Sequence, residues 1–365
     1  MRKNIAVIGL KGLPAFGGAA AVGENLIIQL SEKYDFTVYS IDSHISSDKS
    51  FDFAHQVIFK SFPVKSLNIF YYYLASSIHA LIKGNYNLIH LHHIDGAFIL
   101  FLLRLKYRVV STSHGLTYKH TKWKKILHPY FKINEWIQCR LSNHITLVSK
   151  SLYRHYSQKT SINKITYIPN GVDIPEEHYL EVVDGSLVFS AGRIIPSKGL
   201  HIFLESISLL KTNSIITVIG DFDQLPAYKK EILDKYNYLN LRFLGLIVDK
   251  GLLKKSIISS QLFIFPSTYE AMSMMLLEVA ALKVPIICAD IEANTDVFSN
   301  SEVLFFKNNN SKDLSEKIKW AYSNMDKMKL KAKSAFEKVS TQFKWPTIAH
   351  IYDEVFNPYL KNKIK

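Results

Sequence analysis

Tyr269-Glu270-Ala271-Met272-Ser273-Met274-Met275-Leu276-Leu277-Glu278 follows an apolar run, Gln261 to Phe265, that is closed by Pro266-Ser267-Thr268. This order reads as a buried strand, a tight turn and a helix beginning near Ser273. With Ser273 as N-cap, the next few amides lack intrahelical carbonyls and point back toward the strand end. Free N–H groups and the helix dipole attract phosphate there. Glu270 and Glu278 bracket the helix start. Carboxylates repel phosphate and prefer hydroxyls, so a ligand with central phosphates and polyol ends suits the pattern. A sugar nucleotide is such a ligand. The plainer reading is a surface turn followed by an ordinary amphipathic helix.

A second stretch favours the ligand. Gly192-Arg193-Ile194-Ile195-Pro196-Ser197-Lys198-Gly199 also lies between a strand, Leu187 to Ala191, and a helix, Gly199 to Leu210. Arg193 offers a planar fork and Lys198 a point charge, a pairing suited to a diphosphate leaving group.

On these two stretches the chain resembles retaining glycosyltransferases of the GT-B fold, family four, over nearly its whole length. The resemblance implies that Arg193 and Lys198 bind the donor diphosphate, that Glu270 contacts the transferred sugar and that Glu278 contacts the ribose. Many relatives carry Phe-Gly where this chain has Met272-Ser273. Backbone contacts from Met272, Ser273 and Met274 to the donor tolerate that change.

The totals are compatible with this. At 365 residues the chain is long for one core and comfortable for two domains. A hydrophobic share of 48% against 21% charged marks it as globular. Lys and Arg outnumber Asp and Glu by 45 to 31, which suits anionic partners. No zinc-finger spacing or RNA-binding signature appears, so nucleic acid is not expected. Aromatics at 13% favour a membrane-facing surface instead. Cys139 and Cys288 fall in different expected domains, so no disulfide is expected. Met1-Arg2-Lys3 leads straight into a strand without a signal-peptide pattern. The apolar run Ala97 to Leu105 is too short to span a bilayer. The expected location is the cytoplasm, with a peripheral place on the inner membrane face as a further option.

The chain opens with an apolar run, Asn4 to Gly9, then a glycine-rich loop through Gly17-Gly18, then a helical pattern from Ala21 to Leu30. That is the first unit of a doubly wound sheet. Gly9, Gly12, Gly17 and Gly18 depart from the dinucleotide fingerprint G-x-G-x-x-G, although Asp42 ends the next strand where an NAD enzyme holds ribose. In the family, the Gly-Gly pair lies under the donor, which implies that role for Gly17 and Gly18. The string GLKGLPAFGG is also similar to a bacterial rhamnosyltransferase branch. Further strands are predicted at Thr37–Ile41, Val57–Lys60, Leu88–Leu91, Arg108–Thr112 and His144–Val148. A second series covers Ile215–Ile219, Leu241–Phe243 and Pro285–Cys288.

Several polar clusters sit at strand ends. His90, His92, His93 and Asp95 carry metal-ligand chemistry, but neighbouring strand residues face opposite ways, so one or two crevice-lining histidines is the preferred reading and no metal site is assigned. His114-Gly115 is sharper, because relatives keep a His-Gly there to meet the donor sugar or developing charge. Gly245 and Leu246 end the strand whose loop flanks the nucleotide base in relatives. Asp221-Phe222-Asp223 reads as a turn and helix cap, not a metal site. The basic, aromatic stretch Lys119–Lys132, including Trp123, Tyr130 and Phe131, is either a solvated face or a contact for phosphate headgroups.

The expected architecture is α/β: two Rossmann-like doubly wound domains facing across a cleft. Residues 1–174 form the acceptor-side domain and 175–342 the nucleotide-sugar domain, with Pro175-Glu176-Glu177 as linker. Residues 343–365 form a helix crossing back after a break at Trp345-Pro346. The expected activity is metal-independent transfer of a hexose from a UDP-, GDP- or dTDP-sugar, with no cofactor. The acceptor is expected to be a glycan or a lipid-diphosphate-linked sugar in surface polysaccharide synthesis, and an anionic membrane is a second candidate partner. A sugar-nucleotide epimerase on the same fold, an NAD-linked oxidoreductase and a non-enzymatic binding protein remain as competitors.

Overall fold

The computed structural model of the chain describes residues 2–15, 17–45, 51–64, 67–119, 125–175 and 185–360. Two compact units divide it: Met1–Gly171 with Trp345–Lys365, and Val172–Lys344.

The first unit is built on a seven-stranded sheet. Its strands are β1 (Lys3–Lys11), β2 (Tyr34–Ile41), β3 (His55–Phe59), β4 (Leu88–His92), β5 (Val109–Ser113), β6 (His144–Leu147) and β7 (Ile165–Tyr167). They lie in the order β3-β2-β1-β4-β5-β6-β7, every pair parallel. No residue of β4, β5 or β6 is exposed. That is the signature of strands covered on both faces, and it explains why they read as apolar runs without alternation.

The second unit repeats the plan with β8 (Leu187–Arg193), β9 (Ile216–Asp221), β10 (Leu241–Gly245), β11 (Leu262–Phe265), β12 (Ile286–Ala289) and β13 (Leu304–Phe306). Their order is β10-β9-β8-β11-β12-β13, again all parallel. The sequence reading omits β7 and β13. Each has three residues, too few to display any hydrophobic period.

The tail divides into helices Ser311–Ser323, Met325–Gln342 and Trp345–Leu360. The last one packs against the Gly18–Leu30 helix of the first unit. Asp353 anchors it there, accepting from Lys33 Nζ at 2.5 Å and from the Tyr34 hydroxyl at 2.5 Å. Pro346 falls in the first turn, where its missing N–H costs no hydrogen bond. Gly171 fits beneath Trp345, since a Cβ there would lie 2.4 Å from the indole. Of the linker Pro175-Glu176-Glu177, Glu176 and Glu177 lie outside the described residues.

Asp221 and Asp223 form a turn, as expected, but no helix cap. Asp221 accepts from the Asp223 N–H at 3.0 Å and from Gln224 at 2.7 Å, and Asp223 pairs with Lys229 at 2.7 Å. The following helix, Pro226–Lys235, begins after Leu225 without a side-chain cap. Two intervening residues put the carboxylates out of capping reach.

Candidate functional site

Chain order reverses between β8 and β11, and open α/β sheets bind ligands at the carboxyl ends of strands beside such a reversal. Both polar motifs of the second unit sit there. Arg193 ends β8, and Pro196–Lys198 forms a single helical turn. Gly199 then takes φ +76, and a Cβ on it would lie 2.1 Å from the Pro266 carbonyl oxygen. Only glycine lets the first loop approach the second so closely. The Thr268 N–H and hydroxyl both donate to the Ser197 carbonyl, at 2.9 and 3.2 Å. Above this seam Lys198 Nζ donates to Glu270 Oε1 at 2.5 Å.

Residues 72 positions apart thus form one device. Side-chain exposure is 27% for Lys198 and 12% for Glu270. The ion pair is therefore partly withdrawn from water and its geometry is fixed by the loops beneath it. Glu270 Oε2 accepts no hydrogen bond among the described residues. Arg193 is exposed and forms no ion pair among the described residues; the Asp223 N–H and Gln224 hydrogen bonds hold Asp221 below the usual carboxylate range, and the Arg193 charge adds to this.

The Met274–Ala281 helix starts as expected: the Ser273 hydroxyl accepts from the Leu276 N–H at 3.4 Å. Ser273 and Met274 are half-buried, while the Met272 side chain is 7% exposed, so any ligand contact at Met272 is made by its backbone. Glu278 lies one turn along and accepts no hydrogen bond among the described residues. Burial raises its pKa above the ordinary glutamate value and Asp173 adds to this, while Lys250 and Lys254 pull it down. Gly245 ends the edge strand β10 at φ +66 with open space around it. Leu244, Leu246 and Val248 around it are all exposed, an apolar lip on that edge.

The first unit has its own reversal, between β1 and β4. Gly17 takes φ +97 as the cap of the Gly18–Leu30 helix, and a Cβ on it would meet nothing within 4 Å. Gly18 is exposed beside it. Gly9, at φ +115, donates its N–H to the Tyr72 hydroxyl at 2.8 Å, and a Cβ on it would lie 2.2 Å from the His92 carbonyl oxygen. Lys11 and Asp95 pair across the reversal at 3.6 Å.

His90 and His92 project to one face of β4 and are buried. His92 Nδ1 lies 3.0 Å from His114 Nε2, His92 Nε2 lies 3.2 Å from His90 Nδ1, and His90 Nε2 lies 2.7 Å from the Thr112 hydroxyl. Burial pushes the pKa of His90 down to about 3, and holds His92 and His114 well below the usual imidazole value. These rings are neutral near pH 7. His114 is only partly buried, and its Nδ1 has no partner among the described residues. No group of three or more His, Cys, Asp or Glu side chains among the described residues is arranged to hold a metal.

Sequence reasoning misses the cluster around Glu135. This carboxylate accepts from His155 Nε2 at 2.5 Å, Lys159 Nζ at 2.6 Å and the Tyr118 hydroxyl at 3.0 Å. Tyr118 belongs to the turn that follows His114, so the cluster buttresses that loop. Asp42, the candidate ribose ligand of an NAD enzyme, has its Oδ1 occupied by the N–H and hydroxyl of Ser61.

A further feature is the helix His128–Leu141 and the turn before it. Ile126 is 82% exposed, Ile133 57% and Trp136 56%. Lys132 and Arg140 are exposed on the same helix, and the Arg140 guanidinium stacks 5.9 Å from the Trp136 ring centroid. Trp123 lies outside the described residues. No helix among the described residues is long and apolar enough to cross a membrane.

Comparison with known proteins places the chain in a family. The profile described as Glycosyltransferase Family 4 matches residues 16–176, and that described as Glycosyl transferases group 1 matches residues 176–338. The chain belongs to family four of the glycosyltransferases. This family member is 27% identical over 177 residues to the N,N'-diacetylbacillosaminyl-diphospho-undecaprenol alpha-1,3-N-acetylgalactosaminyltransferase of Campylobacter jejuni, covering 48% of the chain and 46% of that relative. It is 25% identical over 224 residues to the UDP-Gal:alpha-D-GlcNAc-diphosphoundecaprenol alpha-1,3-galactosyltransferase of Escherichia coli, covering 53% and 54%. The match thus spans about half the length of these curated relatives. Sucrose-phosphate synthase from Thermosynechococcus elongatus superposes with a TM-score of 0.84 at 17% identity, covering 98% of this chain and 99% of that one. HepE of Anabaena, solved with UDP and glucose, gives 0.79 at 18% identity, covering 98% and 100%. The family-four fold of two Rossmann-like domains, GT-B, is thereby established. Nothing in these relatives and structures supports the epimerase or the oxidoreductase.

Proposed function

We propose that the chain transfers a sugar, with retention of anomeric configuration, from a nucleotide-sugar donor to a saccharide or lipid-diphosphate-linked acceptor in bacterial surface polysaccharide synthesis. The observation that carries this reading is the Lys198–Glu270 pair at the second sheet's reversal, 2.5 Å long and beside a capped helix start. A cation, a carboxylate with one oxygen to spare and a row of first-turn amides suit a molecule that joins phosphate to sugar.

In this reading Arg193, Lys198 and the amides after Ser273 neutralise the charge that develops on the departing diphosphate, which supplies most of the rate enhancement. Glu270 Oε2 accepts from a hydroxyl of the transferred sugar. Glu278, partly buried and lacking a donor among the described residues, accepts from the ribose diol, which stabilises its charged form. The apolar lip at Gly245 and Leu246 takes the base. Gly17, Gly18 and His114 meet the sugar, and the acceptor hydroxyl loses its proton to the departing phosphate oxygen.

Thermal denaturation against a panel of UDP-, GDP- and dTDP-sugars tests this reading. A donor at a hundredfold excess over its Kd stabilises by about 2.7 kcal/mol. One member of the panel is expected to raise Tm by several degrees and to release its nucleoside diphosphate when acceptor is added. A panel with no shift, together with a shift from NAD, would remove the proposal.

The exposed face of Ile126, Ile133 and Trp136 with Lys132 and Arg140 supports a peripheral place on an anionic membrane, because apolar side chains enter the interface while cations meet headgroups. Binding to vesicles containing anionic lipid is expected, to weaken with added salt, and to fall in Trp136→Ser. Equal binding to neutral vesicles would refute the electrostatic part.

A further inference from the structure

Among the described residues, five that are not glycine have a positive φ. Three of them have a local reason: Lys211 and Lys283 close helices, and Asn309 sits in the turn before the Ser311–Ser323 helix. Left-handed residues are ordinary at such places. The other two are Lys11, at φ 74, and His93, at φ 70 and ψ 143. Lys11 ends β1 and His93 follows β4, so they stand on the two sides of the first unit's reversal. The His93 combination ordinarily belongs to glycine, and strained backbone of this kind gathers at ligand sites.

The surrounding chain holds that backbone in place. A Cβ on Gly12 would lie 2.4 Å from the His44 carbonyl oxygen, and the Leu13 N–H donates to Gln56 at 3.1 Å, which fixes the chain leaving Lys11. The His93 N–H donates to the Thr112 carbonyl at 3.2 Å. Two residues on, the Tyr130 hydroxyl donates to the Asp95 carbonyl at 2.6 Å. The side chains are far less committed than the backbone. Among the described residues, the polar contacts of Lys11, His93 and Asp95 amount to the Lys11–Asp95 pair and the His93–His114 ring contact, 5.1 Å between centroids. At 3.6 Å the pair is too long for a hydrogen bond, unlike the 2.5 Å contact of Lys198 with Glu270. Side-chain exposures of 21% and 22% leave both of its ends open. A hydroxyl can sit across such a gap, its oxygen accepting from the ammonium and its hydrogen going to the carboxylate.

Charge selects the class of ligand. Burial brings the His93 pKa down to about 4 and holds that of His114 well below the usual imidazole value, so both rings are neutral near pH 7. Burial alone would raise the Asp95 pKa, but opposing influences led by the Lys11 charge keep it below the ordinary carboxylate value. The ammonium and the carboxylate therefore cancel. An anionic group would meet Asp95 with no net positive charge to receive it, whereas sugar hydroxyls both give and accept hydrogen bonds. We propose that Lys11, His93 and Asp95 form a subsite for the hydroxyls of an uncharged sugar, the terminal residue of the acceptor. The proposal rests on the transferase reading, in which Arg193, Lys198, Glu270 and Glu278 of the second unit hold the donor and leave this pair to the acceptor.

The test is saturation-transfer NMR of the full chain with methyl glycosides. The neutral set is glucoside, galactoside, mannoside, rhamnoside and N-acetylglucosaminide; glucuronide and galacturonide form the acidic set. At least one neutral glycoside is expected to bind wild type, and to bind more tightly than either uronide. Asp95→Asn and Lys11→Met should each weaken it by about tenfold to a hundredfold, the range for a hydrogen bond to a charged group. The Tm shift given by the sugar nucleotide should stay the same in both variants. His93→Gly relieves the backbone strain, so its Tm should stay close to that of wild type while glycoside binding falls. Full affinity in both charge variants, tighter binding of a uronide, or no neutral glycoside bound to wild type would overturn the proposal. So would loss of the sugar-nucleotide shift in Lys11→Met, which would give the pair to the donor. A steep fall of Tm in His93→Gly would make that ring structural and remove it from the subsite. Glycoside binding lost in the variants of a chain that no sugar nucleotide stabilises would leave the subsite standing and end the transferase reading.

Discussion

Replacing Lys198 with alanine is expected to lower kcat by about two to three orders of magnitude while the fold persists. Removing one preorganised group that stabilises developing negative charge costs roughly that much. Lys198 is placed for the task by backbone, not by chance rotamers: Gly199 lets its loop approach Pro266, and Thr268 ties the two loops together. The truncation also leaves Glu270, 12% exposed, without its cation, which costs about 1 kcal/mol and a few degrees in Tm. Lys198→Arg restores the charge but not the compact ammonium, so partial activity is expected from it. Arg193→Ala is expected to cost about a hundredfold, within the range for one such donor. Its effect on stability is smaller, because the side chain is exposed and has no ion-pair partner among the described residues. The double variant should fall short of the product of the two, since both cations act on one leaving group. Single-turnover release of nucleoside diphosphate measures all of this. Rates within a few-fold of wild type in both single variants would end the diphosphate assignment.

The second large effect is on stability. Glu135 is 1% exposed and its carboxylate gathers the Lys159 ammonium, the His155 ring and the Tyr118 phenol. Glu135→Ala is expected to destabilise the first unit by about 3 kcal/mol, the low end for breaking a buried pair, because Lys159 is 42% exposed and can turn to water. The pH dependence has a definite sign. Burial alone would raise the Glu135 pKa, but Lys159, His155 and Tyr118 outweigh it and hold the value below that of an ordinary glutamate. A carboxylate with a depressed folded pKa contributes fully above its unfolded pKa and loses that contribution as pH falls through the folded one. The gap in denaturant midpoint between wild type and Glu135→Ala should therefore narrow on acidification. A gap that stays constant or widens down to the acid transition contradicts this account.

How much of this could be read from residues alone differs by feature. Apolar strands alternating with helices gave away both parallel sheets, since burial on two faces leaves an unmistakable compositional trace. The helix cap at Ser273 was equally readable, because a cap is a local affair of four residues. The direct bond between Lys198 and Glu270 was not. Sequence placed each on a strand end facing the same ligand, and only the adjacency of β8 and β11 brings them to 2.5 Å. The histidines show the same limit. Alternation along β4 puts His90 and His92 on one face, but finding His114 next to them requires the β4–β5 register, in which His92 stands opposite Thr112. Glu135 offered no motif at all, as its partners come from separate segments.

The helix at residues 345–360 has a consequence for synthesis. The ribosome makes the strands of the first unit early and this helix only after the whole of 172–344. Tyr352 and Phe356, 1% and 0% exposed in the finished fold, are missing from the nascent first unit until then. The continuous second unit holds all its own parts sooner, so it can reach its final form before the first, inverting the usual order in which the leading domain of a nascent chain settles first. A premature stop just after Lys344 would therefore injure the domain that was translated first.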